Sequence, residues 1–401
     1  MTYLDHAATT DVRPEVIALM AANLGATGNA SSLHAAGRQA RKLVEVAREQ
    51  VASALDCLPS EVVFTSGGTE ADNLAIKGLY WSRRNADTRR VRILASAVEH
   101  HAVLDPVQWL ADFEGATVEW LPVDALGVVS VDALRASIER DPQSVALITV
   151  MWANNEVGTV QPMDEIVELA HQHGIPVHSD AVQAIGALPV SFKQSGLDAM
   201  TISGHKLGGP MGVGALLLKR EHKPVPVLHG GGQEREIRSG TLSTHLIVGF
   251  GLAVSLACAA QAEHAAHLVS LRDELMAAVS GVVEGAHVRG AVDADSVDGR
   301  IVRRLPGNAH FTFEGCEGDA LLMLLDAAGV QVSTGSACTA GIPQPSHVLL
   351  AMGVPVSEAV GALRFSLGRT STSADVQALA AALPAAVERA RRAGKALKSQ
   401  N

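Results

Sequence analysis

The chain is poor in cysteine, in aromatic residues and in positive charge, and nowhere apolar for long. Four cysteines in 401 residues, Cys57, Cys258, Cys316 and Cys338, are too few and too scattered to staple the chain, and none belongs to a C-x-x-C pair. A disulfide framework is excluded, and a reduced, cytoplasmic setting is expected. Aromatics make up only 3% of the residues, so aliphatic side chains and alanine must fill the core. The net charge of −10 leaves no basic excess to pair with a phosphate backbone, and no nucleic-acid partner is expected. The longest apolar run, residues 246–260, is broken by Gly249, Gly251 and Ser255 and falls short of the roughly 20 residues that cross a bilayer. It reads as a buried helix in a protein with no membrane association. The opening residues, with Asp5 and His6, read as structured sequence, so no export leader is expected.

What remains is the profile of a large globular protein: 47% apolar and 18% charged residues. A single core stops growing near ~250–300 residues, so a chain of this length has room for a large unit and a smaller lobe. Helical periodicity over residues 36–55 precedes the β-branched run Val62-Val63-Phe64-Thr65, a glycine turn, and a second helix to about Tyr80. Further apolar runs at 91–94, 118–121, 145–150, 176–178, 199–202 and 213–218 predict strands separated by helices or loops, hence a mostly parallel sheet. Residues 246–283 read as long helix whose middle carries the chain out of the large unit. Beyond it, strands at 309–313 and 363–367 and helices at 319–328 and 374–393 predict a smaller α+β lobe.

Two charged residues fall at strand ends. Lys206 follows Met200-Thr201-Ile202 and Ser203-Gly204-His205, and Asp180 follows Ile175-Pro176-Val177. Neighbouring parallel strands present their carboxyl ends to one crevice. A lysine able to form a Schiff base and an aspartate able to pair with a pyridinium nitrogen are the two groups pyridoxal phosphate requires. The plainer alternative makes Asp180 a helix cap and Lys206 a surface residue. Thr65-Ser66-Gly67-Gly68-Thr69-Glu70 lies between a strand and a helix start, where backbone N–H groups face an anion; an ordinary capped turn with Thr69 as the cap is the alternative. His100-His101 and His171-Gln172-His173 lack the cysteine or carboxylate company of a zinc site, so no metal is expected.

Cys338 stands in Ser333-Thr334-Gly335-Ser336-Ala337-Cys338-Thr339-Ala340-Gly341, a run of small residues with little to bury. Such a segment gives a thiol the access a nucleophile needs; the other three cysteines sit in helical or strand-like contexts suited to inert thiols. Ser346 is a possible cap of the helix that resumes afterwards.

These segments, together with Tyr3-Leu4-Asp5-His6-Ala7-Ala8-Thr9-Thr10, Gly28-Asn29-Ala30-Ser31-Ser32, Glu99-His100-His101 and Asn154-Asn155-Glu156-Val157-Gly158-Thr159, resemble the class V aminotransferase-like, fold-type I pyridoxal-phosphate enzymes, and within them the cysteine desulfurases of the NifS/IscS group. The resemblance runs almost end to end. It implies an α/β fold with a mostly parallel seven-stranded sheet flanked by helices, a large cofactor-binding domain at 14–260, and a small domain of 1–13 and 261–401 carrying the Cys338 segment. It further implies that Lys206 binds pyridoxal 5'-phosphate, that Asp180 pairs with the ring nitrogen and Gln183 with the ring hydroxyl, and that His100 stacks on the ring and carries a proton. Gly68, Thr69, Ser203 and His205 would hold the phosphate, joined by Thr241 of a homodimeric partner. Asn155 and Arg364 would hold the carboxylate of L-cysteine, and Cys338 would take its sulfur for an acceptor such as an iron–sulfur scaffold protein. A selenocysteine lyase, an aminotransferase or kynureninase of the same fold, and an inactive scaffold for sulfur-trafficking proteins are the rival readings.

Overall fold

Runs such as Val145-Ala146-Leu147-Ile148-Thr149, apolar without alternation, are the pattern of strands covered on both faces. In the computed structural model, which describes residues 1–292, 296–297, 300–335 and 345–398, seven such runs form one sheet. They are β1 (Val62–Thr65), β2 (Arg92–Ser96), β3 (Thr117–Leu121), β4 (Val145–Thr149), β5 (Val177–Asp180), β6 (Ala199–Ser203) and β7 (Gly214–Leu218). Their spatial order is β1-β7-β6-β5-β4-β2-β3; β7 runs antiparallel to both neighbours and every other pair within β6-β5-β4-β2-β3 is parallel. The mostly parallel seven-stranded sheet read from the sequence is therefore present.

Adjacent strand residues feed opposite cores, as the period of two demands. Val62, Phe64 and Leu94 pack with Val44, Ala47 and Val51 of helix α1 (Ala35–Ala54). Val63, Ile93 and Ala95 pack with Ala71 and Leu74 of α2 (Gly68–Ala86) and Val103 and Val107 of α3 (His101–Glu114). Each of these fully buried aliphatic side chains contributes roughly 1.5–3 kcal/mol over exposure.

The long helix expected over 246–283 is two helices, α4 (Thr244–Ala259) and α5 (Gln261–Val282), bent by 68° where Ala260 leaves helical geometry at ψ 2°. The first belongs to the large sheet's core through Phe250 and Val254, the second to another core through Leu271 and Leu275. That second core lies on a three-stranded antiparallel sheet of β8 (Ala286–Arg289), β9 (Asn308–Phe313) and β10 (Ala362–Ser366), with β9 central, covered by α5 and α6 (Ser373–Lys398). Leu4 is buried there too, and Thr2–Tyr3 pairs with Val330–Gln331, so the amino terminus joins the distal core before entering the cleft. Among the described residues no single helix is long and apolar enough to cross a membrane; α4 and α5 pass such a test only as a bent pair.

Candidate active site

β1, β2, β4, β5 and β6 point their carboxyl ends the same way, so the residues just beyond them meet along one edge. Past β1 come Gly67, Gly68 and Thr69; past β2, Glu99 and His100; past β4, Asn154 and Asn155; β5 ends on Asp180; and past β6 come His205 and Lys206. Five separate sequence segments thus converge by strand polarity alone. From the other lobe β10 adds Arg364. His100, Asn155, Gln183, Lys206 and Arg364 line one cavity of about 290 Å³.

Lys206 is half-buried; its Nζ donates to the carbonyls of Ala7 and Ala8, the latter at 2.7 Å. Burial, reinforced by the Arg364 guanidinium, brings this amine down to about 8, against the pull of Asp180 and Asp5. Asp180 is buried, and burial raises its carboxyl to about 6 although the Val182 amide, 2.9 Å from Oδ1, and Lys206 favour the anion. His100 caps α3: its Nδ1 accepts from the Ala102 amide at 3.1 Å, which leaves Nε2 as the N–H donor. Its surroundings, then Lys206, push the imidazole down to about 4, so the ring is neutral.

α2 begins without a side-chain cap, at Gly67 with φ 153° and at Gly68, where a Cβ would come 3.2 Å from Val182 and 3.7 Å from Ser203. Thr69, weighed above as the cap, lies inside the first turn. The amides of Gly68 and Thr69 find no acceptor among the described residues, and the helix dipole adds positive potential there. His205 contacts Thr9, with Nδ1 3.3 Å from its Oγ1, and Gln183 donates to Ala7 O at 3.0 Å. Thr241 does not line the cavity. It is exposed, just past Arg238, whose Nε donates to Glu70 Oε1 at 2.5 Å.

The structure adds residues to which the sequence assigned no role. Behind Asp180 lie Asp72 and Glu99, both raised well above the carboxylate range by burial. His178, pushed down to about 3 by burial, bonds Thr149 Oγ1 at 2.9 Å and Thr201 Oγ1 at 3.1 Å and sits 3.5 Å from Asp72. Only their burial marks out Asp72 and His178. His171 reaches Asp198 at 2.9 Å, with His222 on the other oxygen at 2.9 Å. Asp198, Glu221 and His222 lie close enough to share an ion, but Asp198 already takes the Val177 amide, both imidazoles and the Lys219 ammonium.

Burial pushes the Cys57 thiol up to about 12 and Cys258 to about 11, and raises Cys316 as well, as expected of inert thiols. Cys338 lies outside the described residues. Gly335 and His347, on either side of residues 336–344, both line the cavity, and Ser346 caps the next helix while donating to Glu156 Oε2 at 2.5 Å.

An amine of lowered basicity, a buried carboxylate with one oxygen unbonded, and an uncapped helix start with open amides match the aldehyde, ring nitrogen and phosphate of pyridoxal 5'-phosphate. Fold and site together define a fold-type I pyridoxal-phosphate enzyme. The chain belongs to the aminotransferase class-V family, whose model matches residues 2–379. It is 56% identical over 396 residues, 99% of this chain and 98% of the relative, to an IscS-like cysteine desulfurase of Mycobacterium tuberculosis. It is 43% identical to cysteine desulfurase IscS of Methanosarcina thermophila, over 97% of this chain and 92% of that one. A solved NifS-like protein superposes with a TM-score of 0.87 at 34% identity, covering 97% of this chain and all 100% of the other.

Proposed function

We infer that this protein is a pyridoxal-phosphate-dependent cysteine desulfurase, which converts L-cysteine to L-alanine and delivers the sulfur as a protein persulfide. The observation that carries the reading is the cavity itself, which Lys206, Arg364 and both flanks of the Cys338 segment line together. When bound, the cofactor supplies the electron sink that makes the bonds at the amino acid's Cα and Cβ labile. Lys206 would hold the cofactor, and its Nζ would carry the Cα proton. Asp180 would keep the ring nitrogen protonated, and Gln183 would pair with the ring hydroxyl. Gly68, Thr69, Ser203 and His205 hold the phosphate, with Thr241 of a second subunit completing the shell of a homodimer. Asn155 and Arg364 orient the substrate carboxylate. His100 would stack on the ring of the bound cofactor, and its Nε2–H is free to carry a proton for the substrate sulfur. The Cys338 thiolate attacks that sulfur: an S–S bond forms as the C–S bond breaks, and the electron pair of the broken bond stays with carbon, which is protonated to give alanine.

The division into 14–260 and 1–13 plus 261–401 remains our reading, supported by the 68° bend between α4 and α5. We place the enzyme in the cytoplasm, handing sulfur to an acceptor such as an iron–sulfur scaffold protein. The test is release of alanine and sulfide from L-cysteine with a reductant present, in native protein and in Cys338→Ala. Equal release of both products, lost in the variant, supports the persulfide route. Unimpaired release in the variant removes Cys338 from the chemistry.

A further inference from the structure

A second cavity, of about 110 Å³, adjoins the active-site cavity and shares only Ala7, Gln183 and Lys206 with it. Its apolar lining comes from both lobes: Ile185 and Leu207 belong to the core of the large sheet, Leu268 and Leu367 to the core of the smaller one. Its charges are all of one sign. Arg13, Lys206 and Arg369 line it together with His6 and His264, and no aspartate or glutamate of the described residues does. Among those residues Arg13 donates only from Nε, to Leu207 O at 3.3 Å, and Arg369 only from Nη2, to Asp11 O at 3.3 Å. Arg369 Nε and His264 Nε2 are buried with no partner. The two guanidinium groups feel each other: after burial, the Arg369 charge is what most lowers Arg13.

The acids nearby do not cancel this charge. Asp11 and Glu15, whose fields reach His6 and Arg13, are exposed to water and line no part of the cavity. Asp5 is paired with Arg364 at 2.8 Å, and Asp375 accepts from the Thr372 amide at 2.9 Å. Lys206 turns its Nζ to the carbonyls of Ala7 and Ala8 and is the residue read above as holding the cofactor. Burial lowers both imidazoles, which makes them neutral hydrogen-bonding groups. Each guanidinium has five N–H donors and spends one here, so most of that capacity is open to an anion, and a carboxylate suits the planar fork. The walls are aliphatic, and the volume lies well below the roughly 300 Å³ at which sites for drug-sized ligands begin. We propose that this cavity is a second ligand site, which takes a small carboxylate with a short aliphatic tail, the carboxylate at Arg13 and Arg369 and the tail against Leu268 and Leu305. Such a ligand touches both lobes and lies against the wall that carries Lys206.

The test titrates butyrate calorimetrically into the cofactor-loaded enzyme, in a buffer free of other carboxylates, for native protein and for Arg13→Gln, Arg369→Gln and Arg364→Gln. Native protein should bind one butyrate per chain. Arg13→Gln and Arg369→Gln should each weaken binding at least about tenfold, the scale of a lost charge-assisted hydrogen bond, and Arg364→Gln by less than about twofold. Acetate, which lacks two methylenes, should bind about tenfold more weakly than butyrate. No saturable binding overturns the proposal, as does weakening in Arg364→Gln as large as in the other two, which would put the anion in the active-site cavity. Acetate or sulfate bound as tightly as butyrate overturns the aliphatic tail. Thermal unfolding separates binding from a structural role. Without butyrate, Arg13→Gln loses a like-charge repulsion and should unfold at the native midpoint or above; a lower midpoint marks Arg13 as paired within the fold and overturns the site. Butyrate should raise the midpoint of native protein and leave that of Arg13→Gln unmoved. No turnover enters these measurements, so failure of the desulfurase reading would appear in the product assay alone.

Discussion

Burial and the Arg364 guanidinium lower Lys206 to about 8, and with Lys206 proposed as the residue that takes the cofactor this value should govern cofactor capture, since only the neutral amine reacts with an aldehyde. Below pH 8 the neutral fraction rises about tenfold per unit, and above it levels off. The rate at which cofactor-free protein acquires its absorbance band should follow that curve, whereas an ordinary lysine would go on gaining to about 10.4. A second feature at this scale is the run Glu234, Arg235, Glu236, whose φ values of 46°, 58° and 65° are left-handed for three consecutive non-glycine residues. Glu234 holds it in place, accepting from Arg48 at 2.7 and 2.8 Å and from the Phe64 amide at 2.8 Å, with both charged side chains almost wholly buried. Glu236 is exposed, so Glu236→Gly relieves strain without breaking this anchor and should raise stability by roughly 0.5–1 kcal/mol, after subtracting glycine's extra unfolded entropy. Glu234→Gln instead leaves Arg48 only the half-exposed Glu45, 3.1 Å from its Nε, and should lose about 1–3 kcal/mol. Denaturant midpoints measure both.

Among the elements, the start of α2 depends on a close backbone crossing. A Cβ at Gly214, the first residue of β7, would stand 2.6 Å from Ile202 O and 2.9 Å from Gly67 C, backbone atoms that cannot swing away. Gly214→Ala should therefore push Gly67 and the open amides behind it out of position. Cofactor retained after dialysis, read from absorbance, should fall at least about tenfold in affinity, the scale set by losing one or two charge-assisted hydrogen bonds. Gly25→Ala, with nothing within 4 Å of the added Cβ and an ordinary φ of −87°, serves as the control and should bind as native. The bend between α4 and α5 belongs to this scale as well. Hydrophobicity runs on across Ala260, so the pattern reads as one helix, and the break comes from the two ends belonging to different cores.

At the level of the whole molecule, the exposed position of Thr241 leads to a test of the homodimer. Lys206→Ala and Thr241→Ala chains are each expected to be impaired alone. In a mixed dimer one site receives both lesions and the other neither. Statistical mixing should restore about a quarter of native activity, half the dimers carrying one intact site. If Thr241 served its own subunit, mixing would restore nothing, and the mixture would show the mean of its parents.

Much of this was legible in order along the chain. The seven strands of the main sheet were placed within a residue or two, because fully buried strands are written as unbroken aliphatic runs. Lys206, Asp180 and Gly68 stood out because each follows such a run, and strand polarity then carries them to one edge; His100 came forward only through the family resemblance. By itself the sequence determined the period of each element, the polarity of the sheet and the types of chemical group at its carboxyl edge. Tertiary structure alone decided which charges meet: Asp5 with Arg364 across 359 residues, Glu234 with Arg48 across 186, and Asp72 beside His178. No local spacing encodes such pairs. They arise only when packing removes water and leaves each buried charge to find a partner or give up its ionisation, and that requires the whole fold.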